Sequence, residues 1–116
     1  MIICTFAAQP TIYGDAMIAE LLSALFGREW TVADFSLAGE RIQAMERLFN
    51  GREGLTRADD QLPDRLTKEL KPDGPSKGKV VPLEELKDDY YRAMGWDLAT
   101  GLPGEKKLKE LGIEIK

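Results

Sequence analysis

Residues 40–65 read ERIQAMERLFNGREGLTRADDQLPDR. Ile42, Met45 and Phe49 recur at steps of three and four, the spacing of one helix face. Gly51 and Gly54 then punctuate a charge-dense turn. Thr56 with Asp59 predicts a single short helical turn, and Pro63 stands where another first turn can begin. Towards the N-terminus the seam continues through Ala38 and Phe35 to a start signal. Thr31 is a natural N-cap and Asp34, three residues on, completes an approximate capping box. Trp30 and Phe35 stand where a hydrophobic staple places its two partners. The reading is a long helix packed along its length against others. Gly39 within it costs about 1 kcal/mol relative to alanine, and close approach of a neighbouring backbone is the expected reason for it.

The flanks repeat the same grammar. From Asp15 to Phe26 the positions Ile18, Leu21, Leu22 and Leu25 fall on one helical face, and Gly27 suits the left-handed residue past a helix end. Residues 71–79, with Pro72-Asp73-Gly74-Pro75, form a loop by turn chemistry. A helix beginning at Pro82 is expected to carry Leu83, Leu86, Tyr90 and Met94 on its inner face. Gly95 ends it, with Trp96 folding back on Tyr91 as the apolar contact of a Schellman motif. Pro103 opens a last short helix, Gly112 closes it, and Ile113 can reach Leu108. Strand signals are confined to residues 79–81 and the first few positions. The fold class is all-α, a small helical domain, and the 116 residues are expected to form a single domain.

Composition narrows the function. With 43% hydrophobic and 31% charged residues this is an ordinary folded chain. Its formal charge of −4, with lysine and arginine interleaved among acids, disfavours nucleic acid as a partner. No apolar run approaches the ~20 residues needed to span a bilayer, and the apolar start, Met1 to Ala8, lacks a basic leader. No membrane partner is expected, and a cytoplasmic location is. There is no histidine and one cysteine, Cys4, so an internal disulfide and every imidazole-based site are excluded.

Four groups invite a chemical reading. Cys4 alone cannot build a metal site, and by itself reads as a buried thiol. Gly74 to Lys79 has three residues between its glycines and Val80 after the lysine, so it fails the phosphate-loop pattern and reads as a surface turn. Asp59, Asp60 and Asp64 do not have calcium-loop spacing. Arg52, Arg57 and Arg65 are expected to pair with them in a charge network that locks the turn between two helices. Tyr90, Tyr91 and Trp96 read as core packing. No general base, partnered nucleophile or complete cofactor motif emerges, so the chain alone is not expected to catalyse.

In series, the stretch Gly39 to Asp60, Leu62-Pro63-Asp64-Arg65, Asp73 to Gly78, Tyr90-Tyr91-Arg92, Gly95-Trp96-Asp97 and Gly101-Leu102-Pro103 closely resembles the C-terminal domain of the tungsten-containing aldehyde:ferredoxin oxidoreductases. The likeness extends from about Ile2 to Ile113. It implies the C-terminal fragment of a larger enzyme that oxidises aldehydes to carboxylic acids and passes electrons to ferredoxin. The parent enzyme would carry a tungsten ion on two pterin (molybdopterin-type) cofactors and a [4Fe–4S] cluster, neither expected in this chain by itself. The family's fourth cluster cysteine closes an Asp-x-x-Gly-Leu-Cys segment, and Ile3-Cys4-Thr5-Phe6 falls where that segment ends. The resemblance therefore implies Cys4 as a metal ligand, with Ile2 standing in place of the family's glycine. The implied partners are the remaining domains of the parent enzyme and ferredoxin. The apolar N-terminus is expected to drive self-association when those domains are absent. A different class of function, a free-standing helical interaction domain or small docking subunit without redox activity, is the alternative expectation.

Overall fold

The structure is a computed structural model that describes residues 14–114. Cys4 and the apolar start lie outside the described residues. Among the described residues five α-helices follow in order: α1 (Asp15–Phe26), α2 (Val32–Arg52), α3 (Asp64–Thr67), α4 (Leu83–Met94) and α5 (Glu105–Glu110). A 3₁₀ turn, Arg57–Asp59, separates α2 from α3. Among the described residues the only pairing of extended backbone is an isolated bridge between Trp96 and Pro103. The all-α reading therefore holds. The residues fall into two compact units that part within α2, after Gln43.

In the first unit α1 buries Ile18, Ala19 and Leu22. Leu21 and Leu25, read from the sequence on the same face, are exposed. The buried stripe is centred one residue over, because small Ala19 can pack where the periodicity of large residues gives no signal. Gly27 ends the helix at φ 64°, donating its N–H to Ser23 O. Ser23 then ties the following turn: its Oγ accepts from Trp30 N at 2.8 Å and donates to Ala19 O at 2.9 Å. Trp30 makes its ring contacts with Phe26, 5.9 Å between centroids, and with the Arg28 guanidinium at 4.4 Å.

The expected start of α2 is present. Thr31 N donates to Asp34 Oδ2 at 2.9 Å and Asp34 N to Thr31 Oγ1 at 3.1 Å, the two arms of a capping box. The expected packing seam is not. Ile42, Met45 and Phe49 are each more than half exposed, and the residues buried on α2 are Ala44 and Arg47. Gly39 has no atom within 4 Å of where a Cβ would stand, so no described backbone approaches it. The glycine that does admit a neighbour is Gly51, where a Cβ would meet Leu102 Cδ2 at 2.5 Å. Helix α2 runs through it to Arg52 and turns instead at Gly54, φ 97°.

The second unit is built around α4. Thr56 caps the 3₁₀ turn with a complete capping box to Asp59, and Pro63 precedes α3. Residues 71–79 close on themselves, Gly78 N donating to Lys71 O at 2.8 Å and Lys71 N to Lys79 O at 3.1 Å. The α4 face that turns inward is only partly the expected one: Leu83 and Met94 are half-buried, Leu86 and Tyr90 are exposed, and Lys87 and Tyr91 are buried. Both helix-end motifs hold. Gly95 is left-handed and Trp96 N donates to Tyr91 O at 2.8 Å, with the two rings stacked 5.9 Å apart. Ile113 N donates to Leu108 O at 2.9 Å past Gly112, φ 62°.

Candidate functional site

The second unit has polar side chains at its centre. Arg47 comes from the buried stripe of α2, Arg57 and Asp60 from the 3₁₀ turn and the residue after it, and Glu84, Lys87, Asp88 and Tyr91 from α4. The loop Asp97–Leu102 supplies carbonyls. That loop is folded by Asp97, whose Oδ1 accepts from Thr100 N at 2.7 Å and from Ala99 N at 3.1 Å. Its main chain closes the ring, Gly101 N donating to Asp97 O and Asp97 N to Leu102 O, each at 2.8 Å.

Arg47 is 8% exposed and engages all three nitrogens of its guanidinium. Nη1 and Nη2 donate to the two oxygens of Asp60 at 2.8 and 2.6 Å, and Nε donates to Gly101 O at 2.8 Å. This is the bidentate fork that only arginine can make. Tyr91 donates its phenol to the same Asp60 Oδ2 in a short hydrogen bond. Gly101 sits at φ 70°, and a Cβ there would stand 2.5 Å from Arg47 Nη2 and 2.9 Å from the Tyr91 hydroxyl. Glycine is thus required twice over, by conformation and by space.

A second fork lies alongside. Arg57 donates from Nη1 to Asp88 at 2.6 Å and Leu98 O at 2.8 Å, and from Nη2 to Glu84 at 2.7 Å. Its main-chain N–H reaches Thr100 O at 3.1 Å, so residue and backbone both bind the same loop. Lys87 buries its stem and brings Nζ to Glu84 at 2.7 Å and to the carbonyls of Asp60 and Arg57 at 3.3 and 3.4 Å. The two guanidiniums also lie near rings, Arg47 5.7 Å from Trp96 and Arg57 5.3 Å from Tyr91.

Electrostatics fix the protonation states. Burial pushes the Asp60 carboxyl up, but the hydrogen bonds from Arg47 and Tyr91 and the charges of Arg47 and Lys87 outweigh it and hold the group below its ordinary value. Burial and then the Asp60 carboxylate push the Tyr91 phenol up to about 12. Asp60 is therefore an anion with both oxygens engaged, and Tyr91 keeps its proton. Neither is poised to move a proton near neutrality. The arrangement is a clamp that joins α2, the 3₁₀ turn, α4 and the 97–102 loop.

The sequence led to a charge network here and to the wrong pairs. Asp60 pairs with Arg47 and Arg57 with Glu84 and Asp88, whereas Arg52 forms its ion pair with its neighbour Glu53, and Asp64 with Lys68. Proximity in the chain was the misleading signal, since the true partners lie 13 to 31 residues apart. Arg47 and Lys87 went unread because a charge on a helix is assumed solvated. The available signal was the gap each leaves, a buried stripe running through a position that is not apolar. Among the described residues no group of three or more His, Cys, Asp or Glu could hold a metal ion.

Residues 1–113 match the family model for aldehyde ferredoxin oxidoreductase, domains 2 and 3. The chain is 45% identical over 96 residues to the tungsten-containing aldehyde ferredoxin oxidoreductase of Pyrococcus abyssi, covering 82% of this chain and 16% of that one. The Pyrococcus furiosus protein of the same name is 46% identical over 95 residues, covering 81% and 16%, and that of Thermococcus kodakarensis 43% over 95 residues, with the same coverage. Among solved structures, the active-site complex BamBC of benzoyl coenzyme A reductase with 1,5-dienoyl-CoA superposes on 87% of this chain and 14% of its own, with TM-score 0.68 and 27% identity. The chain thus spans 16% of the length of the relatives it matches. On a family match that takes in all but its last three residues, the chain belongs to the aldehyde ferredoxin oxidoreductase family, as its C-terminal helical part.

Proposed function

We propose that this chain serves, as one structural part, at the C-terminal end of an oxidoreductase that converts aldehydes to carboxylic acids with ferredoxin as electron acceptor, and that it does not catalyse alone. The observation that carries the reading is the 45% identity over 96 residues to a tungsten-containing aldehyde ferredoxin oxidoreductase. When bound in such an enzyme, a tungsten–pterin centre supplies the two-electron oxidation and a [4Fe–4S] cluster the one-electron relay to ferredoxin. The residues of this chain do not make up either centre, having one cysteine and no histidine. Its contribution is to hold its own helices rigid through the Arg47–Asp60–Tyr91 and Arg57–Glu84–Asp88 clamps.

Within the same proposal Cys4 is the one thiolate this chain lends to the cluster, the partners are the remaining domains and ferredoxin, and the location is cytoplasmic. No helix among the described residues is long and apolar enough to cross a membrane. Large apolar side chains left exposed outnumber the buried ones among the described residues, which fits a part covered by other protein. The test is to purify from source cells the species that carries this chain and assay tungsten, iron and aldehyde-dependent ferredoxin reduction. Activity with both metals supports the reading. A species with neither metal contradicts it and leaves a helical interaction module. For Cys4, the Cys4→Ser species should show a changed or lost cluster signal by electron paramagnetic resonance, and an unaltered signal removes it as a ligand.

A further inference from the structure

The second unit carries a groove of about 960 Å³ that the clamp does not use. Its floor is Leu66, Leu70, Val80 and Leu86, exposed by 45, 66, 38 and 52%. Its walls are α3 with the chain after it, the 71–79 loop and the start of α4. They are tied by the backbone: Val81 N donates to Leu66 O at 2.9 Å, and the 71–79 loop closes on itself. The groove is thus preformed and does not wait for an occupant to shape it. Charged side chains of both signs rim it, Arg65, Lys71 and Lys79 beside Glu69 and Asp73. Among the described residues none of these five is engaged in an ion pair.

An apolar floor inside a rim of mixed sign is the anatomy of a protein–protein contact. A lipid surface or nucleic acid calls for a rim of one sign. A second copy placed across a two-fold axis through the groove would set concave against concave. The relatives supply the alternative, since the matched part is 16% of their polypeptide and the rest must pack somewhere on it.

We propose that this groove is the seat for an apolar, convex segment of the same polypeptide, contributed by the part of the oxidoreductase that precedes residues 1–113. The inference rests on the proposed function and names the contact through which this part joins the enzyme. Leu66, Leu70 and Leu86 are its anchors, and the charged rim pairs with polar groups around the inserted segment.

The test places a photo-crosslinking amino acid at Leu70 and, separately, at Leu86 in the polypeptide as the source cell makes it, and identifies the linked peptide by mass. The expected product is a link within one polypeptide, to a peptide upstream of this chain. A link to a second copy, to another protein, or no link at all overturns the proposal. A second measurement uses Leu70→Asp with Leu86→Asp. The pair should speed proteolytic release of this part from the intact polypeptide by at least about tenfold, since buried interface anchors dominate such contacts, while leaving the melting temperature of the 116-residue chain alone unchanged. Equal release rates overturn it. If the cell contains only a free chain of 12.9 kDa, this inference and the proposed function fall together. A long polypeptide with an unlinked groove overturns this inference only.

Discussion

Arg47 concentrates the chemistry of the second unit in one side chain. Its three hydrogen bonds reach residues 13 and 54 positions away, and its partner Asp60 also holds the Tyr91 hydroxyl. Removing one member of a buried pair strands the other, which costs more than the pair itself contributes. Arg47→Ala should therefore destabilise the chain by about 3 kcal/mol, taking the low end because the Asp60 side chain is 32% exposed. Arg47→Lys keeps the charge and loses the fork, and should recover less than half of that loss in urea denaturation. Recovery to the parental midpoint would show that charge alone suffices. The same pair sets the acid limit. Because the folded-state carboxyl of Asp60 titrates below its ordinary value, its contribution is complete above about pH 4 and is lost as pH falls through the folded value. Asp60→Asn should flatten that limb of a stability–pH curve. Tyr91 acts at the other extreme: its folded value is raised to about 12, so its contribution is full below about pH 10 and is lost between there and 12. Tyr91→Phe should remove that alkaline loss, which denaturant midpoints at the two pH values will register.

At the scale of the helices, the sequence located ends better than faces. Caps are local: Thr31 with Asp34, Thr56 with Asp59, Gly27, Gly95 and Gly112 each act within a few residues and each was readable. Faces depend on what the rest of the chain brings, and there the reading slipped. On α4 the inward stripe runs through Lys87 and Tyr91, because an amphipathic lysine can bury its stem while its ammonium reaches Glu84 and two carbonyls. On α2 the seam Ile42, Met45, Phe49 is a real periodicity, yet each of the three is more than half exposed. The two glycines of α2 show the limit of position-by-position inference. Gly51 makes room for Leu102 and Gly39 for nothing described. Gly39→Ala should accordingly stabilise the chain by about 0.5–1 kcal/mol, the helix-propensity gain, where thermal unfolding that shows a loss would mean that something does approach Gly39. Thr31→Ala, removing the hydroxyl that accepts from Asp34 N while the Thr31 main-chain N–H can still donate to Asp34, should cost about 1 kcal/mol.

For the molecule as a whole, the fold class and the family were legible and the site was not. The resemblance rested on runs such as Gly95-Trp96-Asp97 and Gly101-Leu102-Pro103, whose joint purpose appears only in three dimensions, where Trp96 bridges to Pro103 and Gly101 admits Arg47 and Tyr91. What these runs specify is the clamp, and no reacting group belongs to it. That is why single residues gave no catalytic signal. The proposed role within a larger enzyme agrees with its exposed leucines and with relatives of which it spans 16%. The most direct measurement is the size and metal content of the polypeptide that carries this chain in source cells, read by immunoblot with an antibody to this part and by tungsten and iron assay of the captured species. The account predicts one polypeptide several times larger than 12.9 kDa that carries both metals. A free 12.9 kDa chain without metal would contradict it.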